Sequence, residues 1–246
     1  KNKTIIIKPF IMTTNSFKKN RIFAALYFWS AITSAVFFYS CQKQTEVIVP
    51  AQKNASSYSA EVLDKWMTMQ LRLMRNASGI PNQSFSRHFA YSGIVALESL
   101  KPGLTGTNKK WSEKWNGLTG LPVAHPSTKF FYPANVNAAL AAINRSMFPN
   151  ASTADKAAVD SLEAVLNTEF SLTQEASLLN ASAEYGKAVA AAVFTWAEKD
   201  GYTNASNPYT VQMGPGLWKP TPPAYVSPST PYWGNNRTII TGSLKN

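Results

Sequence analysis

From Ser59 to Lys199 the apolar residues recur at intervals of three and four, the spacing that gathers them on one face of a helix. Val62, Trp66, Met69 and Leu73 form the first such stripe, widened by Leu63 and Met74, and the stretch Asn76 to Asn82 with Gly79 and Pro81 ends it. Ser84 is placed to cap a second helix carrying Phe85, Phe89, Ile94 and Leu97, and Lys101-Pro102-Gly103 stops it. Residues 103–134 mix Gly, Pro, Lys and aromatics without a period and predict an irregular connection. Asn135 then caps a third helix through Val136, Leu140, Ile143 and Met147, which Pro149 ends. Ser152 and Asp155 form an aspartate version of the capping box, opening a fourth helix through Val159, Leu162, Leu166 and Phe170. A fifth runs from about Thr173 to Lys199, and the small residues Ala188 to Ala192 at its centre let another helix come close.

No window of similar length alternates with the period of a strand, so the expected fold is all-α. Short polar turns predict an antiparallel bundle over residues 59–201. Residues 202–246 change texture. Their density of Pro, Gly, Tyr and Trp excludes a helix and predicts a long extended segment laid across the bundle, with Trp218, Tyr225, Tyr232 and Trp233 as anchors. The hydrophobic share of 45% against 15% charged residues is that of a globular chain.

The amino-terminal stretch adds a location. Lys18-Lys19-Asn20-Arg21 precedes the charge-free apolar run Ile22 to Ser40, and Cys41 follows, the order that marks an export signal over residues 1–41. Phe38-Tyr39-Ser40-Cys41 resembles a lipobox, with Phe38 where an aliphatic residue is usual. The resemblance implies cleavage before Cys41 and lipid on its thiol. Read as a retained anchor instead, the 19 uncharged residues, at ~1.5 Å each, nearly span a bilayer core of ~30 Å. A third reading is simple secretion. The first two hold the body of the chain outside the cytoplasm at a membrane, as a periplasmic or outer-membrane lipoprotein. The membrane is thus the expected partner, and residues 42–58, polar and small, read as its linker.

The formal charge of +11 suggests nucleic acid until it is located. Six of the 24 Lys and Arg lie in residues 1–40, which hold no Asp or Glu; the other 18 against 13 acids leave +5. Those 18 are scattered, so no basic stripe forms and nucleic acid is not an expected partner. One cysteine excludes an internal disulfide framework. His88 and His125 sit in no metal-ligand spacing and are expected to be structural or on the surface. Asp155, Asp160 and Glu163 suit a solvated helix face rather than an acid–base pair. There is no nucleophile elbow, phosphate loop or dinucleotide fingerprint.

One passage is distinctive: Gly214-Pro-Gly-Leu-Trp218-Lys219-Pro220-Thr-Pro222-Pro223-Ala-Tyr225, then Pro228, Pro231 and Trp233-Gly234. It resembles a passage of the vanadium-dependent haloperoxidase and type 2 phosphatidic acid phosphatase superfamily, in its exported Bacteroidetes-like branch. Asp64-Lys65-Trp66, Arg87-His88-Phe89-Ala90-Tyr91 and Ala96-Leu97-Glu98-Ser99-Leu100 resemble that branch's first two helices. The resemblance covers roughly residues 59–240. It implies a pocket for phosphate or vanadate, with cationic side chains around the oxyanion and a histidine that attacks phosphorus or binds vanadium. The family writes that pocket as Lys, six residues, Arg-Pro; then Pro-Ser-Gly-His; then Arg, five residues, His. None of the three occurs here: 17 residues separate Lys219 from Arg237, and Arg237 precedes Thr238. The family's motifs lie carboxy-terminal to the Trp-Lys-Pro passage. The expectation is therefore an amino-terminal part without its active site, inactive alone, with no cofactor of its own and vanadate only in a longer parent.

A different class is a non-enzymatic helical surface lipoprotein binding glycan or another ligand on Trp111, Trp115, Trp218 and Trp233. Core and loop anchoring is the preferred role for these rings, because large aromatics bury area. The sequence carries no signature of oligomeric state.

Overall fold

The computed structural model describes residues 52–243. The export signal and Cys41 lie outside the described residues, so the lipidation reading stands on sequence alone. Five α-helices follow in order: α1 (Glu61–Asn76), α2 (Ser84–Leu100), α3 (Tyr132–Met147), α4 (Thr153–Ser171) and α5 (Ala176–Ala197). Among the described residues there is no strand, and the chain is all-α. No described helix is long and apolar enough to cross a membrane.

Side-chain pairs fix the directions. Arg72 and Asn76 late in α1 meet Asp155 at the start of α4, while Lys65 early in α1 lies 3.8 Å from Glu169 near the end of α4. Arg145 bonds Asp160, and Asn137 bonds Asn167, so α3 and α4 are also antiparallel. His88 reaches the Met147 carbonyl and Asn135 reaches the Ser99 carbonyl, which sets α2 against α3. Each helix runs opposite to the one before it, as the short turns predicted.

Helix α3 is the centre. Val136, Ala139, Leu140, Ala141 and Ile143 are buried, and so are Asn135, Asn137 and Asn144. A helix apolar on every side belongs inside a bundle. Asn137 is partnered on both sides: its Oδ1 accepts from Trp66 Nε1 at 2.8 Å, and its amide donates to Asn167 Oδ1 and the Glu163 carbonyl. One side chain thus ties α1, α3 and α4. Asn135 and Asn144, by contrast, donate to the Ser99 and Leu140 carbonyls and leave their Oδ1 without a partner. Full burial of an aliphatic such as Leu140 or Ile143 contributes roughly 1.5–3 kcal/mol.

Local chemistry corrects several boundaries. The third helix opens at Tyr132 with Pro133 in its first turn, so Asn135 is inside it and buried instead of capping it. Proline supplied the start signal, since its missing N–H is unneeded in the first turn. Ser84 does not cap α2 either: its hydroxyl is buried without a partner and its carbonyl faces His88 Nδ1. The irregular connection contains a 3-10 stretch, Gly106–Lys114. Ser152 caps α4 as predicted, accepting from the Asp155 N–H at 3.1 Å while its hydroxyl donates to the Asp155 carboxylate. The close approach of α5 to α3 includes Gly186, where a Cβ would overlap the Asn135 carbonyl oxygen.

Beyond α5 the chain makes a loop from Ala205 to Tyr232, closed by the Tyr232 N–H on the Ala205 carbonyl at 3.1 Å. Trp218 and Tyr225 are 52% and 63% exposed, so they do not anchor it. Tyr232 and Trp233 do, through ring contacts with Tyr209 and Tyr202. Most side chains of residues 208–231 are exposed.

Candidate functional site

The charged side chains that α2 turns inward meet the chain that leaves α5. Arg87 lies one turn before Tyr91 on α2, which puts both on the face toward α5. Its Nε donates to Asp200 Oδ2 at 2.5 Å, its Nη2 donates to the Ala197 carbonyl, and its guanidinium stacks near the rings of Tyr91 and Tyr202. Asp200 is buried. It accepts a second bond from the Tyr91 hydroxyl at 2.8 Å and a third from the Tyr202 N–H at 2.9 Å. Burial, aided by the Asp200 carboxylate, holds the Tyr91 hydroxyl well above its usual pKa, so it stays a donor.

Arg237 closes the cluster from the carboxy-terminal segment. Its N–H bonds the Asp200 carbonyl at 2.7 Å. Its guanidinium donates to the Trp196 and Asn116 carbonyls, touches the Tyr91 hydroxyl at 3.3 Å and lies 4.0 Å above the Trp196 ring. Trp115 and Ile240 form a single antiparallel bridge beside it. Three distant stretches, residues 87–91, 196–202 and 232–241, are thereby held as one clasp.

Next to the clasp, at the same end of the bundle, a half-open cleft of about 500 Å³ is lined by Leu73, Ile80, Phe148 and Phe194 together with Arg87 and His88. His88 is buried with Nδ1 2.6 Å from the Ser84 carbonyl and Nε2 3.1 Å from the Met147 carbonyl. Burial pushes its pKa down, and the two carbonyls oppose that. A neutral imidazole has one N–H, so one of the carbonyls faces a bare ring nitrogen. The ring donates to one of these carbonyls and packs its other nitrogen against the second, which suits a structural residue.

His125 is exposed, and its imidazole bonds Ser127. Asp160 and Glu163 pair with Arg145 on the surface of α4, while Asp155 is drawn into the Arg72 and Asn76 contact. Its pKa is held down by the Ser152 hydroxyl first, then by Asn76 and Arg72. Among the described residues no three His, Cys, Asp or Glu side chains gather as a metal site.

The residues that carried the resemblance divide. Trp66 is buried, Arg87, Tyr91 and Trp233 join or flank the clasp, while Trp218, Lys219, Pro222, Pro223 and Gly234 are exposed and Pro220 is half-buried. An oxyanion such as vanadate needs unengaged cationic donors. Arg87 gives its guanidinium to Asp200 and the Ala197 carbonyl, and Arg237 gives its two terminal nitrogens to backbone carbonyls and the Tyr91 hydroxyl, while its buried Nε has no partner. Sequence reasoning missed Asp200 and Glu98. For Glu98 the signal was present, an acid inside the apolar run Ile94 to Leu100 where an unpaired charge is costly; Asp200 follows Glu198-Lys199 and gave none. Glu98 is buried and accepts from Ser112 Oγ at 2.7 Å and Trp115 Nε1 at 2.6 Å.

Compared with known proteins, the chain matches no family model, no curated protein and no solved structure.

Proposed function

We propose that residues 52–243 are the supporting helical bundle of a membrane-held protein of the vanadium-dependent haloperoxidase and type 2 phosphatidic acid phosphatase superfamily. In this reading the longer parent hydrolyses phosphoesters or oxidises halide with vanadate, and the bundle holds no catalytic group. The observation that supports it is the clasp. Arg87 and Tyr91, from one stretch that resembles the family, meet the chain just after Trp233-Gly234, from another, at Asp200. Contacts 146 residues apart in the chain, between Tyr91 and Arg237, that join one stretch resembling the family to the chain just after another fit a common scaffold better than two chance likenesses. The engaged guanidinium of Arg87 and the burial of His88 against two backbone carbonyls support the second half, that chemistry belongs elsewhere.

The gene downstream of the Asn246 codon tests this. An in-frame continuation carrying Pro-Ser-Gly-His between two Arg motifs is the expected result. A stop codon directly after Asn246 in intact genomic DNA overturns it. That result favours the non-enzymatic surface lipoprotein, for which Trp111, 48% exposed and stacked on Trp115 at 6.3 Å, offers a ligand platform.

A further inference from the structure

The exposed large apolar side chains of the described residues concentrate on the loop between Ala205 and Tyr232. Tyr209, Met213, Leu217, Trp218, Tyr225 and Val226 stand 40% to 83% exposed there. An apolar concentration of this kind marks a surface made for contact. Charge narrows the partner. From Gly201 to Ser243 there is no Asp or Glu, and the one charged residue of the loop, Lys219, adjoins Trp218. Lysine is depleted at protein interfaces. A lysine beside Trp and Tyr is instead the composition of membrane–water boundaries, where the ring sits at headgroup level and the ammonium faces lipid phosphate.

The backbone suits that use. The loop is pinned at its neck by the Tyr232 N–H on Ala205 and the Tyr232 hydroxyl on the Pro208 carbonyl at 3.2 Å. Seven prolines between Pro208 and Pro231 fix much of its backbone, so presenting the side chains costs little further entropy. Tyr225 stands at φ 45°, which only a strained turn imposes on a bulky residue.

We propose that this loop rests on an anionic bilayer surface, with Leu217, Trp218 and Tyr225 entering the headgroup layer and Lys219 pairing with lipid phosphate. It rests on the reading that residues 1–41 bring the chain to a membrane. The ten residues from Gln42 to Ala51 reach at most about 35 Å, which keeps the bundle close to that surface.

The test uses the full chain in vesicles of phosphatidylethanolamine and phosphatidylglycerol, beside the same chain in nonionic detergent. Chymotrypsin cleavage after Tyr225 is timed against cleavage after Leu172, which is 80% exposed in the turn between α4 and α5. Cleavage after Tyr225 should be about tenfold slower in the vesicles with Leu172 unchanged, and Trp218→Asp should restore the fast rate. Equal rates in a chain that floats with the vesicles would overturn the loop contact and leave the anchor standing. A chain that does not float overturns both. Protection in detergent that grows with protein concentration assigns the loop to a second copy instead. Protection just as strong on phosphatidylcholine alone overturns the anionic assignment.

Discussion

Gly186 of α5 lies directly against the main chain of Asn135 in α3, where a Cβ would overlap the Asn135 carbonyl oxygen. The obstacle is backbone inside a buried helix, which cannot swing away as a side chain can. Gly186→Ala should therefore push the central helices apart and cost about 2–3 kcal/mol. Gly93, inside α2, has no atom near its Cβ position and is exposed. Gly93→Ala should stabilise by about 0.5–1 kcal/mol through helix propensity. Urea unfolding of both variants checks the pair, and equal shifts would contradict the close approach.

Asp200 holds the clasp by its charge. Asp200→Asn keeps the shape but leaves the Arg87 guanidinium, 11% exposed, opposite a neutral amide. The expected cost is about 3 kcal/mol, and amide exchange over residues 232–241 should quicken before the helices open. Tyr91→Phe removes one hydrogen bond and should cost about 1 kcal/mol. A tail as slow to exchange in Asp200→Asn as in the native chain would show that the clasp does not hold it.

The Asn137 side chain joins three helices, so its loss is not local. Asn137→Ala strands the Trp66 indole N–H in the core and should cost about 2–3 kcal/mol. Trp66→Phe in that background should cost less than Trp66→Phe alone, because the indole bond is already gone. Additive unfolding energies in the four-variant cycle would rule the bond out.

Two groups set an acid limit. His88 has a lowered pKa in the folded chain, so the unfolded chain takes up its proton first as pH falls. Its stability is complete above the ordinary histidine pKa of about 6.5 and declines as pH drops below it. Asp155 is lowered too, so its contribution is present above the ordinary carboxylate range, near 4, and is lost as pH falls through its own pKa. Melting temperature against pH should fall in these two steps. In His88→Gln the upper step should vanish and the lower remain.

What the sequence makes legible is what local spacing controls. Val62, Trp66 and Leu73 of α1 and Val159, Leu166 and Phe170 of α4 are buried as their periodicity says. Ser152 with Asp155 announces its cap within four residues. Helix α2 hides more. Phe85, Phe89 and Leu97 are only partly buried, while His88, Ser92, Glu98 and Ser99 face the core. Hydrophobicity alone assigns such a face to solvent, because partners such as Ser112, Trp115 and Met147 are far along the chain. The clasp is invisible for the same reason: Arg87, Asp200 and Arg237 lie far apart in the chain and meet only when the bundle closes. In the loop, Trp218 and Tyr225 were expected as anchors because large rings usually bury area. Both rings are exposed here.

Turnover by the purified 246-residue chain is the most direct test of whether the bundle supports chemistry without performing it. Hydrolysis of p-nitrophenyl phosphate and vanadate-dependent bromide oxidation by peroxide are measured on the same preparation, with folding checked by helical circular dichroism. The predicted result is a rate equal to the buffer blank in both assays from a fully helical protein. A rate above the blank that disappears on unfolding would contradict it, and would mean that a catalytic group lies within this chain.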